Sequence, residues 1–358
     1  MIKTLAVISA MFGMCATSLT TAELVNPLPV IQVKAPLASA IYQRNSKNLA
    51  EISVECKVPN GFGPVLCQVV VQKGGQSVAD WVLLKDAGTP TQRSTKLQLS
   101  SGWYKLEFRG QAADKSSHQA LVEPFGVGEV FIICGQSNSA NYGGPKQKPA
   151  DARISSCDWA TGKWGRADDP QPGASGSGGS AWPKLGDLMA GKYDLPVGFI
   201  SLGVGSTSVG QWAVEGNLYP RITKALALTK PNGVRAILWH QGESDSLAGT
   251  TTEVYAKTLT AMIEKSRQDA GFELPWGIAV ASWHPDKTAT VEKQAQVVAA
   301  QHLVVKNVPQ VFQGPCTDSY HLKGMLLDSV HFNEKGLSAH AEGWLMALAP
   351  LLKQSSGK

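Results

Sequence analysis

The chain has 358 residues, a length that suits roughly two domains. Apolar residues make up 43% and charged residues 17%, which excludes a disordered chain. A net charge of +5 with no dense lysine and arginine block argues against nucleic acid as a partner.

Lys3, the mostly apolar Leu5–Cys15 stretch and the small residues Thr20-Thr21-Ala22 read as an export signal covering residues 1–22. The apolar stretch is too short to span a bilayer. Phe12-Gly13-Met14-Cys15 is a poor lipoprotein box, so no lipid anchor is expected. No later stretch has the length and apolarity of a membrane helix. The mature protein is therefore expected to be soluble and periplasmic or extracellular, where disulfides are permitted. Cys56 and Cys67 flank a turn, Pro59–Pro64, and could bridge across a hairpin. Cys134 lies in a buried run and reads as a free core thiol. Cys157 and Cys316 are then left as a long-range pair that spacing alone does not establish.

From about Leu28 to Glu123 the pattern is all-β. Strand-like runs at Ala50–Cys56, Val65–Gln72, Trp81–Leu84 and Trp103–Phe108 are separated by Gly, Pro, Asn and Ser clusters. This predicts a small Ig-like β-sandwich over residues 23–125. No acid, base and nucleophile converge within it.

After Gly126 strands alternate with helices. The strands are Val130–Cys134, Val197–Leu202, Val234–Trp239, Trp276–Ser282 and Val308–Gln313. Helices are expected over Ala181–Lys192, Tyr219–Thr229, Val254–Asp269, Thr290–Val304 and Lys335–Leu352. Residues 126–358 thus predict an α/β domain, a mainly parallel sheet with helices on both sides. Gly173–Gly179 is a low-complexity loop, either a lid or a solvated connection.

Four motifs sit at the ends of these elements. Gly135-Gln136-Ser137-Asn138 follows a strand, which puts a hydroxyl at the sheet edge where ligands bind. It is not the G-x-S-x-G elbow, because Ser139 replaces the second glycine. Taken alone, it reads as a turn capped by Ser137 or Asn138. Gly203-Val204-Gly205-Ser206-Thr207-Ser208 follows the next strand and Trp239-His240-Gln241-Gly242-Glu243-Ser244-Asp245 another. Asp328-Ser329-Val330-His331 precedes the last helix. Together they allow acyl transfer. Ser137 is a nucleophile that needs a base, His331 accepts its proton, and Asp328, three residues earlier, orients His331. The Ser137 and Gly205 amides and the Gln241 side chain are expected to stabilise the oxyanion.

In this order the motifs resemble the blocks of the SGNH hydrolase superfamily. The Gly-Gln-Ser-Asn and Trp-x-Gln-Gly-Glu forms resemble its sialate O-acetylesterase-related (SASA) branch of carbohydrate acetylesterases. The resemblance covers about Gly128 to Leu348. It implies a three-layer αβα fold and a Ser137–His331–Asp328 mechanism without metal or other cofactor. Gly205 and Gln241 match oxyanion positions, with Gln136, Asn138, Glu243 and Trp212 as supporting residues. Many SGNH enzymes carry asparagine where this chain has Gln241; the branch it resembles also uses glutamine.

Several of these residues also have structural roles open to them. Trp212 either walls the acyl pocket or fills the core. Glu243 and Asp245 act as acid and base or brace the loop. His240 is expected behind the site. His118, His284, His302, His321 and His340 are expected at the surface or in packing. The function expected is an exported serine esterase acting on an acetylated carbohydrate, such as a plant polysaccharide or sialic acid. The alternatives are a lipase or thioesterase for short acyl chains, or an inactive glycan-binding protein.

Overall fold

The computed structural model describes residues 30–353. The expected export signal lies outside the described residues. The N-terminal region packs two sheets against each other. Strands β1 (Gln32–Ala35) to β9 (Ser117–Gly135) include β2 (Ile41–Gln43), β3 (Leu49–Lys57), β4 (Val65–Val71), β5 (Val82–Leu83), β6 (Lys85–Asp86), β7 (Gln92–Ser100) and β8 (Gly102–Gln111). One sheet has the order β1-β3-β7-β6; in the other β5, β4, β8 and β9 pair in turn. Ile52, Val54 and Leu99 from the first meet Val65, Leu106 and Phe108 from the second in one core.

Strand β9 joins the two regions. It pairs with β8 from Ser117 to Val127, and up to Pro124 exposed residues interrupt its burial. From Phe125 to Gly135 every residue is buried, the signature of a strand covered on both faces. This half is the central strand of the second sheet, with the order β11-β10-β12-β9-β13-β14-β15. Its members are β10 (Ile154–Cys157), β11 (Trp164–Arg166), β12 (Val197–Ser201), β13 (Ala236–His240), β14 (Trp276–Val280) and β15 (Val311–Cys316). All neighbours pair in parallel except β10 and β11.

Alternate residues along β9 explain the three layers. Val130, Ile132 and Cys134 share a core with α3 (Tyr219–Leu228), α5 (Thr252–Ala270) and α6 (Val291–Asn307). Phe131 and Ile133 face the other way, toward α1 (Trp182–Tyr193) and α7 (Glu334–Lys353). The expected αβα architecture behind an antiparallel β region is the one found. Two further short helices, α2 (Val209–Trp212) and α4 (Glu243–Ala248), follow β12 and β13.

A buried ionic cluster ties the two regions together. Glu129 in β9 is 0% exposed. It accepts from Arg44 Nε at 2.7 Å, Gln43 Nε2 at 2.9 Å and Arg235 Nε at 2.5 Å. One carboxylate thus holds side chains from the N-terminal region, the central strand and the entry to β13.

The cysteine expectations are corrected. Cys56, Cys67, Cys157 and Cys316 are all free, as is Cys134. The turn after β3 crosses to the other sheet instead of forming a hairpin, so Cys56 and Cys67 lie on strands that do not pair. Burial pushes their thiols up to about 11 and about 12. Cys157 and Cys316 lie on β10 and β15, five strand spacings apart, or roughly 24 Å. No disulfide spans that distance.

Candidate active site

The chain leaves β9 and supplies β12 on one side and β13 on the other, so β9 ends at a topological switch point. Ligand sites of open α/β sheets lie at such points, beyond the carboxyl ends of the strands. A cavity of about 440 Å³ opens there, lined by Gln136, Ser137, Ser206, Gln211, Ser244 and His331 among others.

Gly135 makes the turn that presents Ser137. Its φ is +127°, and a Cβ there would lie 2.0 Å from the His240 carbonyl oxygen. The next amide, Gln136 N–H, donates to that same carbonyl at 2.9 Å, which locks the turn to β13. A short 3₁₀ turn over Ser137–Ser139 follows. Ser137 is 4% exposed, lines the cavity, and its hydroxyl makes no hydrogen bond within the described residues.

His331 reaches the cavity from the segment before α7. Its Nδ1 lies 2.8 Å from Asp328 Oδ2, and Asp328 Oδ1 accepts the Val330 and His331 amides, each at 2.7 Å. Burial pulls the Asp328 carboxyl upward, but those N–H donors outweigh it and hold the group below the ordinary carboxylate range. The ionised acid thus fixes the proton on Nδ1 and leaves Nε2 for exchange. Tyr142 stacks on the imidazole, ring centres 5.2 Å apart and 24° from parallel. No hydrogen bond joins His331 to Ser137 here; unliganded catalytic pairs are commonly loose and tighten on substrate.

Asn138 ties the Ser137 turn to the His331 segment. Its Nδ2 donates to Val330 O at 3.2 Å and to Glu243 Oε1 at 3.0 Å. Behind it runs a buried polar chain. His240 Nε2 meets Glu243 Oε1 at 3.2 Å, and His240 Nδ1 meets His340 Nε2 at 3.1 Å. Trp344 Nε1–H donates to that same His340 nitrogen at 3.0 Å. Indole is donor-only, so His340 Nε2 accepts from Trp344. Burial and the neighbouring His240 push the His340 imidazole well below its usual range, keeping it neutral. For Glu243 burial pulls upward, yet the His240 charge and hydrogen bonds prevail and hold it below the ordinary value. Glu243 therefore braces the turn as a carboxylate. Asn138→Ala removes the link and leaves Glu243 short of a donor. We expect kcat on an acetyl ester to fall about tenfold, near 1.4 kcal/mol, with a smaller change in KM, as steady-state kinetics would read.

Two of the three expected oxyanion donors make other hydrogen bonds in the free protein. Gln241 is 0% exposed, and its Nε2 donates to Asp245 Oδ2 at 2.6 Å, Thr207 O at 3.0 Å and Gln136 Oε1 at 3.1 Å. Three acceptors exhaust its two hydrogens, so the amide holds the motifs to one another and does not face the cavity. The Gly205 amide is also committed, to Ser175 Oγ at 2.8 Å. The N–H groups of Ser137 and Ser206 have no acceptor among the described residues, and both residues line the cavity. Ser206 sits in the left-handed region at φ +57°, unusual for a serine and a mark of local strain.

Trp212 is core: it is 0% exposed, packs edge-on against Trp239 and donates to Thr207 Oγ1 at 3.0 Å. Asp245 is a brace, accepting Val209 N–H and the Thr250 hydroxyl as well as Gln241, and burial pushes its carboxyl up. Sequence reasoning missed Ser206 and the cavity-lining His284. It also left His340 as packing, because His340's partner His240 lies 100 residues away.

A family model described as carbohydrate esterase, sialic acid-specific acetylesterase, matches residues 127–348. The probable carbohydrate esterase At4g34215 of Arabidopsis thaliana is 27% identical over 184 residues, 44% of this chain and 68% of that protein. Its crystal structure superposes with a TM-score of 0.51 at 21% identity, covering 63% of this chain and 98% of that one. XAC1771, a carbohydrate acetylesterase from Xanthomonas citri, gives a TM-score of 0.56 at 15% identity over 88% of this chain and 73% of its own.

Proposed function

Because the chain belongs to the sialic acid-specific acetylesterase family of carbohydrate esterases, we propose that it is an exported serine esterase that removes O-acetyl groups from a glycan. The observation that carries this reading is one cavity lined by both Ser137 and His331, with Asp328 on the far nitrogen of the imidazole.

Ser137 Oγ attacks the acetyl carbonyl carbon while its proton passes to His331 Nε2. The oxyanion takes hydrogen bonds from the Ser137 and Ser206 amides, donors that are unspent in the free protein. The tetrahedral species collapses, the C–O bond to the sugar breaks, and the departing alkoxide takes the proton from His331. Water then gives a proton to His331 and attacks the acyl-serine; collapse of the second intermediate returns the proton to Ser137 and frees acetate. Asp328 stabilises the imidazolium formed in each half. Export is supported by the Leu5–Cys15 run and the small residues before Glu23.

The cavity favours a short acyl group and a polar alcohol over a lipid. Ser206, Ser208, Gln211 and Ser244 line it beside Leu247, Ala248 and Val330, so hydrogen-bonding groups meet the alcohol while only three aliphatic side chains serve the acyl group, where a long chain needs an apolar channel. The test is acetate release, by mass spectrometry, from acetylated xylan, mannan, pectin and sialosides, beside p-nitrophenyl esters of rising chain length. We expect acetate to be the best acyl group and at least one glycan to be deacetylated. Faster turnover of long chains, or no glycan deacetylated, contradicts the reading.

A further inference from the structure

We propose that Trp283 and His321 form a sugar-stacking platform beside the catalytic cavity, a subsite for a glycan ring next to the one that carries the acetyl group. It rests on the reading of the protein as a carbohydrate acetylesterase. The two rings lie face to face, centres 3.5 Å apart and 5° from parallel. Trp283 is half-buried. One of its faces is covered by His321, and its indole N–H is spent on Ser329 O at 3.3 Å. The surface it keeps open is therefore hydrocarbon, the surface that meets the C–H face of a pyranose.

The platform adjoins the site through the chain itself. His284, the next residue, lines the catalytic cavity, and Ser329 is two residues from His331. It is also rigidly mounted. The Asp318 carboxylate accepts the Ser282 amide and hydroxyl, each at 2.6 Å, and the Trp283 amide at 2.9 Å. The Asp318 carbonyl accepts from His321 Nδ1 at 2.6 Å. One residue thus anchors both halves of the stack. Ser246 Oγ–H adds a bond to Ser282 O at 2.6 Å from α4. No step of ester hydrolysis calls on these bonds. Leu322, the residue after His321, is 79% exposed. An aromatic surface fixed before the ligand arrives loses little entropy when it binds.

The test compares the full chain carrying Ser137→Ala with the same chain also carrying Trp283→Ala. Each is titrated calorimetrically with deacetylated xylo-, manno- and galacturono-oligosaccharides and with sialyllactose. The platform predicts that at least one oligosaccharide binds and that Trp283→Ala weakens it about three- to tenfold, the range of one aromatic contact. Trp283→Phe keeps a ring without the N–H and should retain most of the binding. In the active enzyme, Trp283→Ala should raise KM for the acetylated form of that glycan more than it changes turnover of p-nitrophenyl acetate. Equal binding with and without Trp283, or no binding of any oligosaccharide, overturns the platform. So does an equal kinetic loss on both substrates, which would make Trp283 a brace for the His331 segment. Because binding is read with deacetylated sugars, the platform can stand where no glycan is hydrolysed, and the two readings fail separately.

Discussion

Ser137→Ala is expected to cut acetyl-ester turnover by at least about a thousandfold while leaving the fold intact. The size follows from chemistry: without the hydroxyl there is no acyl-enzyme, and only water attack within the cavity remains. The preserved fold follows from geometry, since the hydroxyl has no hydrogen-bond partner to lose among the described residues and Gly135, not Ser137, makes the turn. His331→Ala should cost a similar factor. The double variant should be little worse than either, because members of one catalytic unit do not contribute independently. Initial rates on p-nitrophenyl acetate, with circular dichroism as the control for folding, check both claims. A Ser137→Ala protein with a tenth of the wild-type rate would contradict them.

Glu129→Ala should lower stability by about 3–5 kcal/mol, the usual result of removing one partner from a buried ion pair. Arg44 and Arg235 would keep their charges in a site where their side chains are 6% and 15% exposed, with the shared carboxylate gone. Gln43 would also lose an acceptor. Glu129→Gln, which retains one carbonyl oxygen, should fall between wild type and alanine. Urea unfolding followed by tryptophan fluorescence reads the difference. A loss under about 1 kcal/mol would show that the cluster is relaxed and solvated rather than a joint between the regions.

The α/β region was legible because its signals are local. Tyr255, Leu259, Met262 and Ile263 recur at helical spacing and all face the core of α5. The strand expected at Val130–Cys134 is the fully buried half of β9. The first half of β9 escaped notice because its apolar residues are few and Pro124 interrupts it. Strands β10 and β11, four and three residues long, were too short to register, and Ser155 and Ser156 made β10 look polar although both are buried.

The site shows a sharper division. Asp328 and His331 share one motif, so their pairing could be read from an i, i+3 spacing. Gln241 and Gly205 also stand in their expected motifs, but a motif names a residue and not the direction of its hydrogen bonds. Only three-dimensional packing turns the Gln241 amide toward Asp245, Thr207 and Gln136. The same holds for the brace behind Asn138, whose members come from β13, α4 and α7. Cys56 and Cys67 failed as a pair because a turn rich in Gly and Pro does not say whether the chain returns along its own sheet or crosses to the other.

Hydrolysis by the Ser137–His331–Asp328 route requires Ser137 to become covalently acylated. Incubating the protein with diethyl p-nitrophenyl phosphate, a poor substrate that traps an activated serine, and mapping the adduct by peptide mass spectrometry tests it most directly. One diethylphosphoryl group, on Ser137, is expected, with loss of acetate release in step with labelling and no such label in His331→Ala. Label on another residue, or full activity in protein labelled at Ser137, would contradict it.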